Sequence, residues 1–202
     1  MLSGYMGRNS KVEERTEEIL QGCYDVIDRE GLESATLKNI GKEVKIAPSL
    51  VSHYFNKKEE LIAGLVDFTF EKENESVIPY MDKGSTSAEK LHLYIKKMVT
   101  LYLNQNVSDK VFYACFYRSL YDKSINDKFK KYYDHEKSQL GNLINLIKEE
   151  KGEKDIDVEE LVLLVNIFIE GVNFMHVVMG DSEKYKEITQ KFTGIIEQMI
   201  LQ

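Results

Sequence analysis

The 202-residue sequence has only two prolines, Pro48 and Pro79, two cysteines, Cys23 and Cys115, and no tryptophan. So little proline leaves nearly every backbone N–H free to join a ladder, which allows long uninterrupted helices. Two widely separated cysteines supply neither a disulfide framework nor the paired spacing of a zinc site, and the expectation is two buried thiols in a reducing compartment. No apolar run approaches the roughly 18–20 residues of a membrane span. The richest, 161–169, ends at Glu170 and follows acidic residues. The opening MLSGYMGRNSKVEERTEE lacks the apolar core of a signal peptide. These absences lead to the expectation of a cytoplasmic protein with no membrane partner. HExxH, GxSxG, Walker A and GxGxxG patterns are also missing, and His53, His92, His135 and His176 are scattered. The expectation is therefore a non-enzyme without metal or cofactor.

What is present is a globular composition, 43% apolar and 30% charged, with enough chain to bury a core unaided. The net charge of −7 is unevenly placed. Residues 1–58 hold nine charges of each sign, so 59–202 carry the whole excess of acid. Within 36–58, Lys38, Lys42, Lys45, Lys57 and Lys58 face a single acid, Glu43. An acidic body repels polyanions, so any nucleic-acid contact is confined to this basic segment.

Hydrophobic spacing predicts helices throughout and strict strand alternation nowhere, so the fold class is all-α with about nine helices. Residues 12–31 form an amphipathic helix closed by Gly31. Thr36 caps a short helix with Leu37, Ile40 and Val44 on one face. Lys45–Ala47 is a three-residue turn, and Pro48 opens a second short helix, PSLVSHYF, at a position that tolerates proline. A long helix runs from Lys57 or Lys58 to about Glu75, and Pro79 with residues 82–87 reads as a linker. Further helices are expected over 88–105, 109–120, 124–150, 158–179 and 183–201. Two short helices around a three-residue turn make a helix-turn-helix unit. Val51 and Phe55 would anchor the second helix, leaving Pro48, Ser49 and His53 outward.

The stretch TLKNIGKEVKIAPSLVSHYFNKKEELI, with ILQGCYDVIDREGLESAT before it, resembles the DNA-binding segment of TetR-type transcriptional regulators. The matching features are Thr36, Ile40-Gly41, His53-Tyr54-Phe55, and Lys58 followed by Glu60-Leu61. PSLVSHYF is similar to the BetI-like, choline-responsive branch. The resemblance implies a DNA-binding domain over 1–58 and an effector-binding and dimerisation domain over 59–202. It implies phosphate contacts from Thr36, Tyr54 and Lys58, base-edge contacts from Pro48, Ser49, Leu50 and His53, and either kind from Lys38. One departure stands in the turn, where the family usually has glycine and this chain has Lys45. Either Lys45 adopts the left-handed conformation at some cost or the turn is remodelled.

A single unit of this kind has a small footprint, and two copies reading a pseudo-palindromic operator would supply the missing specificity. Helices 158–179 and 183–201 are the expected homodimer interface, because the first is apolar nearly all round and the second carries an apolar stripe. On 158–179, Asn166, Glu170 and Asn173 share one face. With Met98, Tyr102, Phe112, Cys115 and Phe116 they are candidates to line an effector pocket, where a carboxylate among aromatics would suit a cationic or amphipathic ligand. Alternatively, the polar face bonds across the dimer or meets water. The expected function is a ligand-responsive repressor, and the alternative is a helical protein–protein adaptor that no longer binds DNA.

Overall fold

The computed structural model describes residues 3–100, 108–152, 157–180 and 183–201. Among them are nine α-helices and no strand: α1 (Ser3–Glu30), α2 (Leu37–Glu43), α3 (Pro48–Tyr54), α4 (Lys58–Met81), α5 (Ser87–Thr100), α6 (Asp109–Ser119), α7 (Lys123–Lys151), α8 (Val158–Met179) and α9 (Glu183–Leu201).

The helix ends follow local chemistry. Thr36 Oγ1 accepts the Asn39 N–H at 3.2 Å, Thr86 Oγ1 the Glu89 N–H at 3.1 Å, and an Asp157 carboxylate oxygen the Glu160 N–H at 3.0 Å. Each oxygen satisfies a donor that the helix cannot. Gly31, Gly152 and Gly180 sit at φ 84°, 71° and 68°, left-handed or extended-positive conformations that stop α1, α7 and α8. Two boundaries differ from the sequence expectation. Helix α1 begins at Ser3 rather than near residue 12. Helix α4 runs through Pro79 to Met81 instead of ending near Glu75. Proline forfeits one backbone hydrogen bond there, but its φ suits a helix, and the helix stops two residues later.

Packing divides the chain into two compact units, Met1–Glu71 with Ser108–Lys130, and Lys72–Val107 with Lys131–Gln202. In the first, α1, α2 and α3 pack around Ile19, Cys23, Ile27, Ile40 and Val51, all without solvent exposure. Helix α6 joins this unit through α1: the Ser108 N–H donates to the Tyr24 hydroxyl at 2.6 Å, and Lys110 Nζ donates to the Asp28 carbonyl at 3.1 Å. Cys23 and Cys115 are both buried free thiols in this unit, and burial pushes each up to about 12, so they stay protonated. In the second unit, Leu91, Tyr94, Ile95, Leu140, Ile144, Val165 and Ile200 form the centre of a core shared by α5, α7, α8 and α9.

Helix α8 is apolar over much of its length. Its mean hydropathy reaches 1.9 over 18 residues, so by length and composition it could cross a membrane, although only a third of that window is buried within the chain. The inner face of α8 is Val162, Val165, Ile169 and Val172, while Leu163, Ile167, Phe174 and Val178 are exposed. Helix α9 is built the same way, with Thr189, Ile196 and Ile200 inside and Ile188, Phe192, Ile195 and Met199 outside.

Candidate nucleic-acid interface and effector site

The basic segment folds as two helices held against α1. Gly41 lies at their crossing, and its carbonyl accepts the Ile46 N–H at 2.8 Å. Lys45 is the one non-glycine residue with positive φ, 56°, among the described residues. The turn is therefore not remodelled, and lysine takes the conformation that glycine adopts more easily.

On α3, Val51 is fully buried and Phe55, its C-cap, is 8% exposed. Pro48, Ser49, Leu50 and His53 are exposed, so the N-terminal edge of the helix faces solvent with its apolar anchors behind it. Tyr54 is half-buried, its ring edge-on to His53 at 5.7 Å between centroids. Thr36 is exposed, and its capping bond uses only a lone pair, so the hydroxyl proton remains available to an acceptor. Lys38 is exposed on α2. Lys58 is engaged within the fold: its Nζ donates to the Leu32 carbonyl at 3.1 Å. An ammonium has three donors, so two remain for a phosphate. Glu43, the acid among the lysines, pairs with Arg29 at 2.7 Å, and that hydrogen bond holds its carboxyl below the usual range. The pairing offsets the negative charge nearest the lysines.

The residues proposed for an effector pocket separate between the two units. Phe112 and Cys115 are buried in the first, around a cavity of about 10 Å³ lined also by Val66, Thr69, Phe70 and Phe129, which has room for no more than a water. Phe116, 39% exposed, stacks on this aromatic group. Met98, Asn166, Glu170 and Asn173 belong to the second unit, where Met98 and Asn173 are buried and Asn166 and Glu170 half-buried. Tyr102 lies outside the described residues.

The second unit holds a feature that sequence reasoning missed. Glu73 of α4 and Glu136 of α7 are 1% and 4% exposed, and both interact with Glu170 of α8. Each carboxylate has a tyrosine hydroxyl: Tyr132 donates to Glu73 at 2.5 Å, Tyr94 to Glu136 at 2.6 Å, and Tyr133 bonds Glu170. Burial raises the Glu73 carboxyl from 4.5 to about 8, the Tyr132 bond opposing this and the charges of Glu136 and Glu170 adding to it. Burial also raises Glu136 and Glu170.

This raised value fixes the sign of a pH dependence. The folded state holds the Glu73 proton up to about pH 8, whereas the unfolded chain releases it above about 4.5. Glu73 therefore favours folding below about 4.5, and that contribution is lost as pH rises towards 8. Thermal melts of Glu73→Gln should match wild type near pH 5 and exceed it near pH 8. Parallel melting curves for the two proteins across that window would refute the assignment.

Residues 19–65 match the family model for bacterial regulatory proteins, tetR family. The matched segment is similar to the helix-turn-helix domain of that family. Its span takes in α2, α3 and the start of α4. The HTH-type transcriptional regulator PksA of Bacillus subtilis (strain 168) is 26% identical over 159 residues, 76% of each chain. A TetR transcription regulator from Haloarcula marismortui superposes with a TM-score of 0.82 at 21% identity, covering 94% of this chain and all of that one. A putative transcriptional regulator from Saccharomonospora viridis, in complex with choline, gives 0.72 at 16% identity, covering 93% of this chain and 94% of that one. The TetR-like fold thus extends beyond the matched domain to the helical body.

Proposed function

We propose that the protein is a ligand-responsive transcriptional repressor that grips a pseudo-palindromic operator as a homodimer. The observation that carries the reading is the exposed N-terminal edge of α3, backed by buried Val51 and Phe55 and flanked by Lys38, Lys42 and Lys45. A helix so mounted enters the major groove with Pro48, Ser49, Leu50 and His53 towards base edges, while Thr36, Tyr54 and Lys58 take phosphates. Residues 1–58 do the reading, and 59–202 pair the subunits and sense the effector. Helices α8 and α9 pair with their counterparts and set the two α3 helices about one DNA turn apart, roughly 34–36 Å. The effector binds better to a body whose dimer geometry misplaces them, which shifts the population away from the operator-competent state. The working compartment is the cytoplasm, where the operator is.

Selection of duplexes from random sequence, followed by a salt titration, tests the DNA-binding half. With about six phosphate contacts per dimer, affinity should fall by about 10³-fold between roughly 50 and 200 mM salt. A protein that ignores every duplex at low salt, while remaining folded, would instead be a helical adaptor.

A further inference from the structure

Among the described residues, four helices of the body converge on one acidic, aromatic place: Glu73 from α4, Tyr94 from α5, Tyr132 and Glu136 from α7, and Glu170 from α8. A structural role for buried carboxylates would leave each oxygen hydrogen-bonded. Glu73 departs from this: Oε1 accepts from Tyr132, but Oε2 is buried with no partner, on a side chain 1% exposed. On α8, one turn before Glu170, the buried Asn166 Nδ2 also lacks a partner. Unsatisfied polar atoms at the centre of a body are costly unless something completes them.

We propose that this cluster binds an organic ammonium ion bearing N–H donors, a primary amine or an aliphatic diamine, as the effector. The proposal rests on the regulator reading above and deepens it. Three carboxylates supply the charge, and the tyrosine rings supply faces on which a cation and its alkyl chain can lie. The unpartnered Oε2 sets the chemistry more narrowly, since once the carboxyl gives up its proton this oxygen needs a donor. A quaternary ammonium has no N–H and leaves that oxygen as it was, so it should bind worse than an amine of equal charge. The groups facing Glu73 are Glu136, Glu170 and the Tyr132 and Tyr94 hydroxyls, and His135 lies beside Glu136. Because burial keeps a proton on Glu73 at neutral pH, the incoming ammonium must expel it, and the proton passes to buffer. Binding is thus a proton-releasing event that strengthens as pH rises towards 8.

Calorimetry on the full-length protein tests this, using butylamine, 1,4-diaminobutane, tetramethylammonium and 1,4-butanediol as probes, in two buffers of different ionisation enthalpy. The expected result is amine binding with proton release, weaker binding of tetramethylammonium, and none of the diol. Glu73→Gln and Glu170→Gln, confirmed folded by circular dichroism, should each weaken amine binding by about tenfold or more. For Glu73→Gln the proton release should vanish. Equal binding of amine and tetramethylammonium, unchanged affinity in both variants, or no amine binding overturns the proposal. Operator binding without amine is measured alongside, so a protein that binds DNA but not amines refutes the ligand and leaves the regulator reading standing.

Discussion

Replacing Ile167 and Phe192 together with glutamate is expected to convert the protein to a folded monomer and to weaken operator binding by about 10²–10⁴-fold. Ile167 is 68% exposed on α8 and Phe192 50% exposed on α9, so neither change opens a hole in the single chain. Twelve of the twenty exposed large hydrophobic side chains among the described residues lie on these two helices. On α8 the exposed positions 163, 167, 174 and 178 form a line, with Gly171 completing it and nothing within 4 Å of where its Cβ would be. On α9 the line is 188, 192, 195 and 199. Both lines have helical spacing, and both lie away from the residues that pack inward. Burying each such side chain contributes about 1.5–3 kcal/mol, so a second copy of the same surface is a strong partner. Light scattering after size exclusion should give twice the chain mass for wild type and the chain mass for the variant. A variant that stays dimeric, or a wild-type monomer, would remove this interface. Lost avidity alone would leave the weak, salt-dependent half-site contact intact, which separates this outcome from a damaged DNA-binding domain.

These outward lines also show what the sequence could and could not convey. The apolar stripe of 183–201 was visible as Tyr185, whose side chain lies outside the described residues, and Ile188, Phe192, Ile195, Ile196 and Met199. Its direction was not: Ile196 turns inward with Ile200, and Ile188, Phe192, Ile195 and Met199 face solvent. Periodicity gives the face but not the neighbour that covers it. The DNA-binding segment was more legible, because its signals are local. A capping threonine, a proline at the first helical position and two apolar anchors four apart each act within a few residues, and the structure places them as those rules require. The start of α1 and the passage of α4 through Pro79 were missed. Helix α1 starts about nine residues earlier and α4 ends about six residues later than expected.

The buried carboxylates were hidden by identity rather than position. Val66, Phe70, Glu73 and Val77 fall at helical spacing, as do Phe129, Tyr132, Glu136 and Leu140, and every one is buried. A glutamate in an apolar register was the available signal. Reading charged residues as solvent-facing by default passed over it. Glu170 was noticed because it interrupts a long apolar helix. Its partners come from helices distant in sequence, and only the fold assembles them. Phe112 and Cys115 pack in the other unit, around a cavity of about 10 Å³.

Gly41 of α2 and Lys45 of the turn that follows it yield two substitutions with opposite expected outcomes. A Cβ at Gly41 would stand 2.7 Å from the Ile46 carbonyl oxygen and 3.3 Å from the Pro48 nitrogen. Both are backbone atoms, and Pro48 is the first residue of α3, so relief requires moving the recognition helix itself. Gly41→Ala should therefore destabilise the amino-terminal unit by about 1–3 kcal/mol and cut operator affinity steeply. The body helices should keep their dimeric mass. Lys45→Gly lies four residues away and should act the other way. It removes about 1–2 kcal/mol of left-handed strain against about 0.5–1 kcal/mol of added chain entropy, a small net gain. Denaturant melts, fluorescence anisotropy on the selected duplex and size exclusion read the three quantities separately. A Gly41→Ala protein with unchanged duplex affinity would mean that α3 can shift without losing the groove, and the proposed docking of its N-terminal edge would then be wrong.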